Sequence, residues 1–159
     1  MAGTSETAFS PELTTTRGMI VTILYRMAGS PDVSGETGFA DVADSAYYAK
    51  AVAWAAEKGI VAGYGDGRFG PDDPITREQM TAILYRYAQF EDYDTAGTAG
   101  LEDFRDASAV SGYAVAAMKW AVDGKLVSGM GDGTLAPQGS ATRAQVAVIL
   151  KCFCETFVK

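Results

Sequence analysis

One segment of this chain is written three times, and that self-similarity limits the fold more than any other property of the sequence. Gly63 to Arg86 reads GYGDGRFGPDDPITREQMTAILYR, with copies upstream from Gly3 to Arg26 and downstream from Gly129 to Lys151. A Thr-Arg dipeptide anchors each copy, at Arg17, Arg77 and Arg143, spaced sixty and sixty-six residues apart. Phe9, Phe69 and Leu135 fall in register, as do Pro11, Pro71 and Pro137. Length alone would suggest one ordinary domain. The repeats instead make the chain a series of one supersecondary unit.

Within each copy the apolar residues follow a helical period. Ile20, Ile23, Leu24 and Met27 stand at i, i+3, i+4 and i+7, matched by Met80, Ile83, Leu84, Tyr87 and by Val146, Ile149, Leu150, Phe153. Burying such side chains yields about 1.5–3 kcal/mol each, so these twelve positions are read as core. Thr76 with Gln79 and Thr142 with Gln145 form capping-box patterns, so the helices are expected to start there. The first copy has Met19 in place of the glutamine and keeps only the threonine half. A second helix is predicted over Tyr47 to Lys58, capped by Asp44 or Ser45 and ended by Gly59. Its many alanines imply close helix packing. Ile60-Val61 reads as one or two strand-like residues before a glycine-rich turn. The last copy repeats this first half from Phe104, with one residue inserted before Tyr113 so that Trp120 falls on Trp54. The expected units are residues 1–30, the second half of a repeat, and the complete repeats 36–93 and 100–159. Linkers at Asp32 to Gly38 and Asp94 to Gly100 separate them.

Composition excludes several function classes. A 48% hydrophobic content argues for a folded chain. A net charge of −7 opposes sequence-independent nucleic-acid binding. No run of eighteen apolar residues exists, and Met1 to Glu6 lacks the features of a leader, so neither membrane insertion nor a signal peptide is expected. Histidine is absent, which removes Ser-His, Cys-His and His-metal chemistry. Cys152 and Cys154, at i and i+2 of a predicted helix, point to different faces and are expected to stay unbridged. The Gly-Asp-Gly loops lack the oxygen ligands of a calcium loop: counted from Asp66, Arg68 and Gly70 occupy positions 3 and 5. No metal or cofactor is expected. Nor does Gly63-x-Gly65-x-Gly67 make a dinucleotide fingerprint, with no strand-helix unit around it.

The pattern Phe-x-Asp-Val/Ala, then a helix bearing Trp, then Gly-x-Gly-Asp-Gly-x-Phe-x-Pro and Ile-Thr-Arg resembles the S-layer homology repeat of bacterial cell-surface proteins. Asp41, Trp54, Gly63, Phe69, Pro71, Thr76 and Arg77 carry the resemblance, and Asp106, Trp120, Gly129, Leu135, Pro137, Thr142 and Arg143 repeat it. The resemblance implies an all-α fold of helix-loop-helix repeats in a pseudo-threefold arrangement, the first repeat incomplete. It also implies an extracellular location at the bacterial surface. The implied task is non-catalytic anchoring to anionic, often pyruvylated, secondary polysaccharide of the Gram-positive wall. By the same resemblance Arg17, Arg77, Arg143, Asp41, Asp106, Trp54 and Trp120 line ligand grooves, with Gly63 and Gly129 opening the loop that shapes a groove wall. Two departures stand out: the motif's final Glu is Met19, Gln79 or Gln145, and the first repeat lacks its opening half. The latter leaves two alternatives: the sequence begins inside a repeat, or a homo-oligomer supplies the missing helix from another chain.

Physical chemistry leaves the roles open. An Arg just past a helix N-cap sits where free backbone N–H groups and the dipole favour an anion, and its fork suits a carboxylate. The same Arg would serve as a structural bridge to Asp41, Asp72 or Asp73. The tryptophans read as sugar platforms or as core, and Asp41 and Asp106 as sugar acceptors or as caps of the following loop. A protein-assembly module on the same scaffold is the alternative function. Glycoside hydrolysis by Asp41 with Asp106 is disfavoured, because repeats place equivalent acids in separate grooves rather than about 5–10 Å apart.

Overall fold

The computed structural model describes residues 1 and 3–158, and among them the regular elements are helices joined by long loops, with no strand. Five helices form: α1 Arg17–Met27, α2 Ala49–Glu57, α3 Arg77–Phe90, α4 Val115–Asp123 and α5 Arg143–Phe157. Thr16, Thr76 and Thr142 are the N-caps of α1, α3 and α5, each accepting a hydrogen bond from the N–H three residues on. The reciprocal glutamine bond is made at Gln79 and Gln145, completing the box in α3 and α5 as the sequence predicts. Ten of the twelve stripe residues are buried, Ile23 and Met27 being half-buried. Neither cysteine is bridged.

Some expectations shift. α2 begins at Ala49, and its N-cap Tyr48 makes no side-chain cap bond, so neither Asp44 nor Ser45 caps it. Ile60 and Val61 are buried but pair with no strand. The insertion before Tyr113 is taken up by two 3-10 turns, Ala107–Ala109 and Gly112–Ala114.

The chain divides into two compact units. In the unit Thr16–Pro74, α1 packs on α2, with the Tyr25 and Trp54 rings 5.6 Å apart. Helix pairing thus joins the second helix of one repeat to the first helix of the next. Ala51 and Ala55 of α2 are buried, as the alanine pattern implies. The loop after α2 returns to the start of α1, where Arg17 N–H donates to Asp73 O at 3.0 Å and Gly18 N–H to Pro71 O at 2.8 Å.

The unit formed by Met1–Thr15 and Ile75–Lys159 repeats this plan. There α3 packs on α4, and the Trp120 ring lies 5.5 Å from both Tyr85 and Phe157. Arg77 and Glu78 N–H donate to Gly139 and Pro137 carbonyls, and Arg143 and Ala144 N–H to those of Leu13 and Pro11. Three helix starts therefore use one recipe. The first two orphan N–H groups go to a loop from another repeat, and the third goes to the cap threonine.

Candidate functional site

That recipe corrects one expectation. The backbone N–H groups beside Arg17, Arg77 and Arg143 are not free to bind an anion, because loop carbonyls and threonine hydroxyls occupy them. Of the polar groups at each helix start, this leaves the guanidinium groups themselves.

All three arginines are buried, at 5%, 5% and 7% exposure, and each Nε donates to a carbonyl of the loop plug. Arg17 bonds Phe69 O at 2.9 Å, Arg77 bonds Leu135 O at 2.8 Å, and Arg143 bonds Phe9 O at 2.8 Å. Beyond Nε the three differ. The Arg17 guanidinium carbon lies 4.7 Å from the centroids of both Tyr64 and Phe69, and that of Arg143 lies 4.8 Å from Phe9. In the register of Arg77 the corresponding residues are Met130 and Leu135, neither of them aromatic.

In place of rings there is a cleft of about 330 Å³. Arg77 lines it together with Leu126, Val127, Gly129 and Met130 of the last loop and Gln145 and Val148 of α5. Among the described residues, Nε is the only nitrogen of this guanidinium with a hydrogen-bond partner. Burial pushes the Arg77 pKa below its ordinary value, while Asp106 acts in the opposite sense. A desolvated cation without an ion pair favours an anionic ligand. The lining mixes apolar side chains with a few polar ones, as in sites for small groups.

The other predicted residues have structural partners. Asp41 accepts Phe69 N–H at 2.8 Å and Gly70 N–H at 2.7 Å, and Asp106 accepts Leu135 and Ala136 N–H, both at 2.8 Å. Each aspartate thus fastens the plug whose carbonyl holds an arginine. Asp73 accepts the Tyr64 O–H at 2.9 Å and Asp72 that of Tyr48 at 3.5 Å. Trp54 and Trp120 are each 2% exposed, so neither offers a ring face to a sugar. Trp120 Nε1 donates to Asp94 O at 3.2 Å, and a Cβ on Gly97 would come within 2.5 Å of the Trp120 Cα. The presumed linker is a lid on this tryptophan. Gly63 is required by packing: a Cβ there would meet Arg68 O at 2.4 Å and the Phe39 ring at 2.6 Å. Gly129 has φ of 84° and borders the cleft.

The S-layer homology domain profile matches residues 38–81 and 103–147. The chain belongs to the S-layer homology domain family. Its relatives include an endoglucanase of Bacillus sp. (strain KSM-635), 33% identical over 94% of this chain and 16% of that protein. An amylopullulanase of Thermoanaerobacterium thermosulfurigenes is 33% identical over 93% of this chain and 8% of its own length. The surface-layer 125 kDa protein of Lysinibacillus sphaericus is 30% identical over 89% of this chain and 12% of its own. The chain therefore spans less than a fifth of each of these proteins. The enzymes among them are multidomain, and the region shared with this chain is the S-layer homology (SLH) part, an anchoring domain without catalysis. SLH domains anchor surface proteins to the cell wall by binding wall polymers, and this chain is a cell-surface, wall-associated SLH module. No described helix is long and apolar enough to cross a membrane.

Cleft residues Leu126, Val127, Met130, Gln145 and Val148 escape sequence reasoning as site residues. A signal for them was available in the replacement of Tyr64 and Phe69 by Met130 and Leu135, which removes the rings from one arginine of three.

Proposed function

We propose that this SLH module is a non-catalytic anchor that binds an anionic, pyruvylated secondary wall polysaccharide, with Arg77 as the carboxylate receptor. The observation that carries this reading is the buried Arg77 guanidinium, bonded among the described residues through Nε alone and bordering an open cleft. A pyruvyl ketal offers one planar carboxylate and one methyl group. Two parallel N–H donors suit the carboxylate, and the apolar lining residues Leu126, Val127 and Met130 suit the methyl. Arg17 and Arg143, stacked on rings, are assigned chiefly to holding the loop plugs in place.

Calorimetric titration with purified pyruvylated wall polymer tests the reading. The wild type binds, Arg77→Lys binds about tenfold or more weakly because the fork is lost, and Arg77→Ala binds least. Thermal denaturation of each variant separates lost affinity from lost folding. An assembly role is the second reading, favoured by the structural engagement of Asp41, Asp106 and both tryptophans. It gains if the wild type ignores the polymer.

A further inference from the structure

Glu78, the residue after Arg77, is 2% exposed and belongs neither to the cleft lining nor to the capping box. Ser111 N–H donates to its Oε2 at 2.9 Å, and Gln138 Nε2, Ser111 Oγ and Tyr113 O–H donate to its Oε1 at 2.8, 2.7 and 3.2 Å. A buried carboxylate needs such donors to offset its desolvation. Gln138 is exposed and sits in the plug loop among the carbonyls that hold α3: Leu135 O on Arg77 Nε, Pro137 O on Glu78 N–H and Gly139 O on Arg77 N–H. Asp106 fastens this loop at Leu135 and Ala136, and Glu78 fastens it at Gln138. The other unit makes an equivalent tie from the opposite side. There Gly18 holds the register of Glu78, and a Cβ on it would meet Tyr48 Cδ1 at 3.0 Å, while Tyr48 O–H donates to Asp72 Oδ2 at 3.5 Å. Ala114 and Gln138 stand in the registers of Tyr48 and Asp72. Where the tyrosine shrinks to alanine the glycine grows to glutamate, so the side chain that reaches the plug comes from α3 instead.

We infer that Glu78 is a positioning residue for the Arg77 cleft, tying the plug loop to α3 through Gln138 so that Leu135 O stays on Arg77 Nε and the rest of the guanidinium is left to a ligand. This rests on the polysaccharide reading above. A long side chain held at one nitrogen by a fixed carbonyl has little rotamer freedom left to lose on binding, which raises affinity without a new contact. A loosened plug would release Nε, and the ordering of the fork would then oppose binding.

Hydrogen exchange of the arginine Nε–H groups, followed by NMR, tests this without a ligand. Gln138→Ala cuts the tie at an exposed position and leaves the fold in place, whereas Glu78→Ala removes the tie entirely. Both should speed exchange at Arg77 Nε–H by about tenfold and leave Arg17 and Arg143 at their wild-type rates. Glu78→Gln should stay within about threefold of wild type, because the Ser111 and Tyr113 hydroxyls and the Gln138 amide can turn to accept from the new NH2 group. Affinity for pyruvylated polymer should follow the same order, falling about tenfold in Glu78→Ala and about threefold or more in Gln138→Ala. Wild-type protection of Arg77 Nε–H in Gln138→Ala, or faster exchange at all three arginines alike, overturns the positioning role and leaves the anchor reading intact. Faster exchange at Arg77 alone, in a protein whose wild type ignores the polymer, upholds the positioning role and overturns the anchor reading.

Discussion

At the scale of single residues, the three arginines carry the same motif but occupy different surroundings. Arg17 and Arg143 lie against aromatic rings, whereas Met130 and Leu135 leave Arg77 beside a cleft. The aspartates have a different task, visible in their response to pH. Desolvation pushes the Asp41 carboxyl up, but hydrogen bonds from Phe69 and Gly70 N–H, aided by Arg68, outweigh it and hold the group below the usual carboxylate range. A depressed folded-state pKa stabilises the fold above the unfolded-state value near 3.9 and is lost as pH falls through the folded value. The Asp41→Asn variant should therefore show a flatter decline of stability below about pH 4 than the wild type, measured by urea denaturation. Equal acid sensitivity of the two proteins would remove Asp41 from the list of acid-labile contacts.

At the scale of elements, the helix starts combine a local signal with a distant one. The capping threonine is local, and its loss is calculable: Thr142→Ala should cost about 1 kcal/mol, or about 2–4 °C in melting temperature. The loop plugs depend on close backbone approach. Because a Cβ at Gly63 would lie 2.4 Å from Arg68 O, Gly63→Ala should destabilise by about 1–3 kcal/mol, the usual cost of overpacking. Gly63 lies in the unit Thr16–Pro74 and the cleft lies in the other, so polymer affinity of the folded Gly63→Ala protein should remain near wild type. Calorimetry at a temperature well below melting distinguishes this from a ligand-contacting role, which would lower affinity along with stability.

At the scale of the whole molecule, net charge and site charge have opposite signs. A chain of net charge −7 repels a polyanion at a distance, while under the proposed function Arg77 attracts its carboxylate at contact. Salt screens the long-range part first, over a Debye length of about 10 Å at 0.1 M. The association rate constant for wall polymer should therefore rise between about 0.02 and 0.15 M salt, measured by surface plasmon resonance, even as dissociation also quickens. A rate that falls with salt, as in attraction-steered encounters, would contradict this division.

Much of the fold is legible in the sequence because its causes are short-range. The repeat register, the 3.6-residue stripe, the threonine caps and their glutamine partners are set by residues within a few positions of one another, and the structure reproduces them. The site is less legible. Whether a helix start exposes its N–H groups depends on loop carbonyls far along the chain, and the bond from Arg143 to Phe9 spans 134 residues. The same holds for Trp120, closed off by a segment that reads as a linker, and for Asp41 and Asp106, claimed by backbone twenty-eight to thirty residues on. The sequence by itself determined that three arginines would stand at three equivalent helix starts. Only the tertiary structure decided that Arg77 faces a cleft while the others face rings, since close packing of distant side chains, not local propensity, sets what surrounds a buried charge.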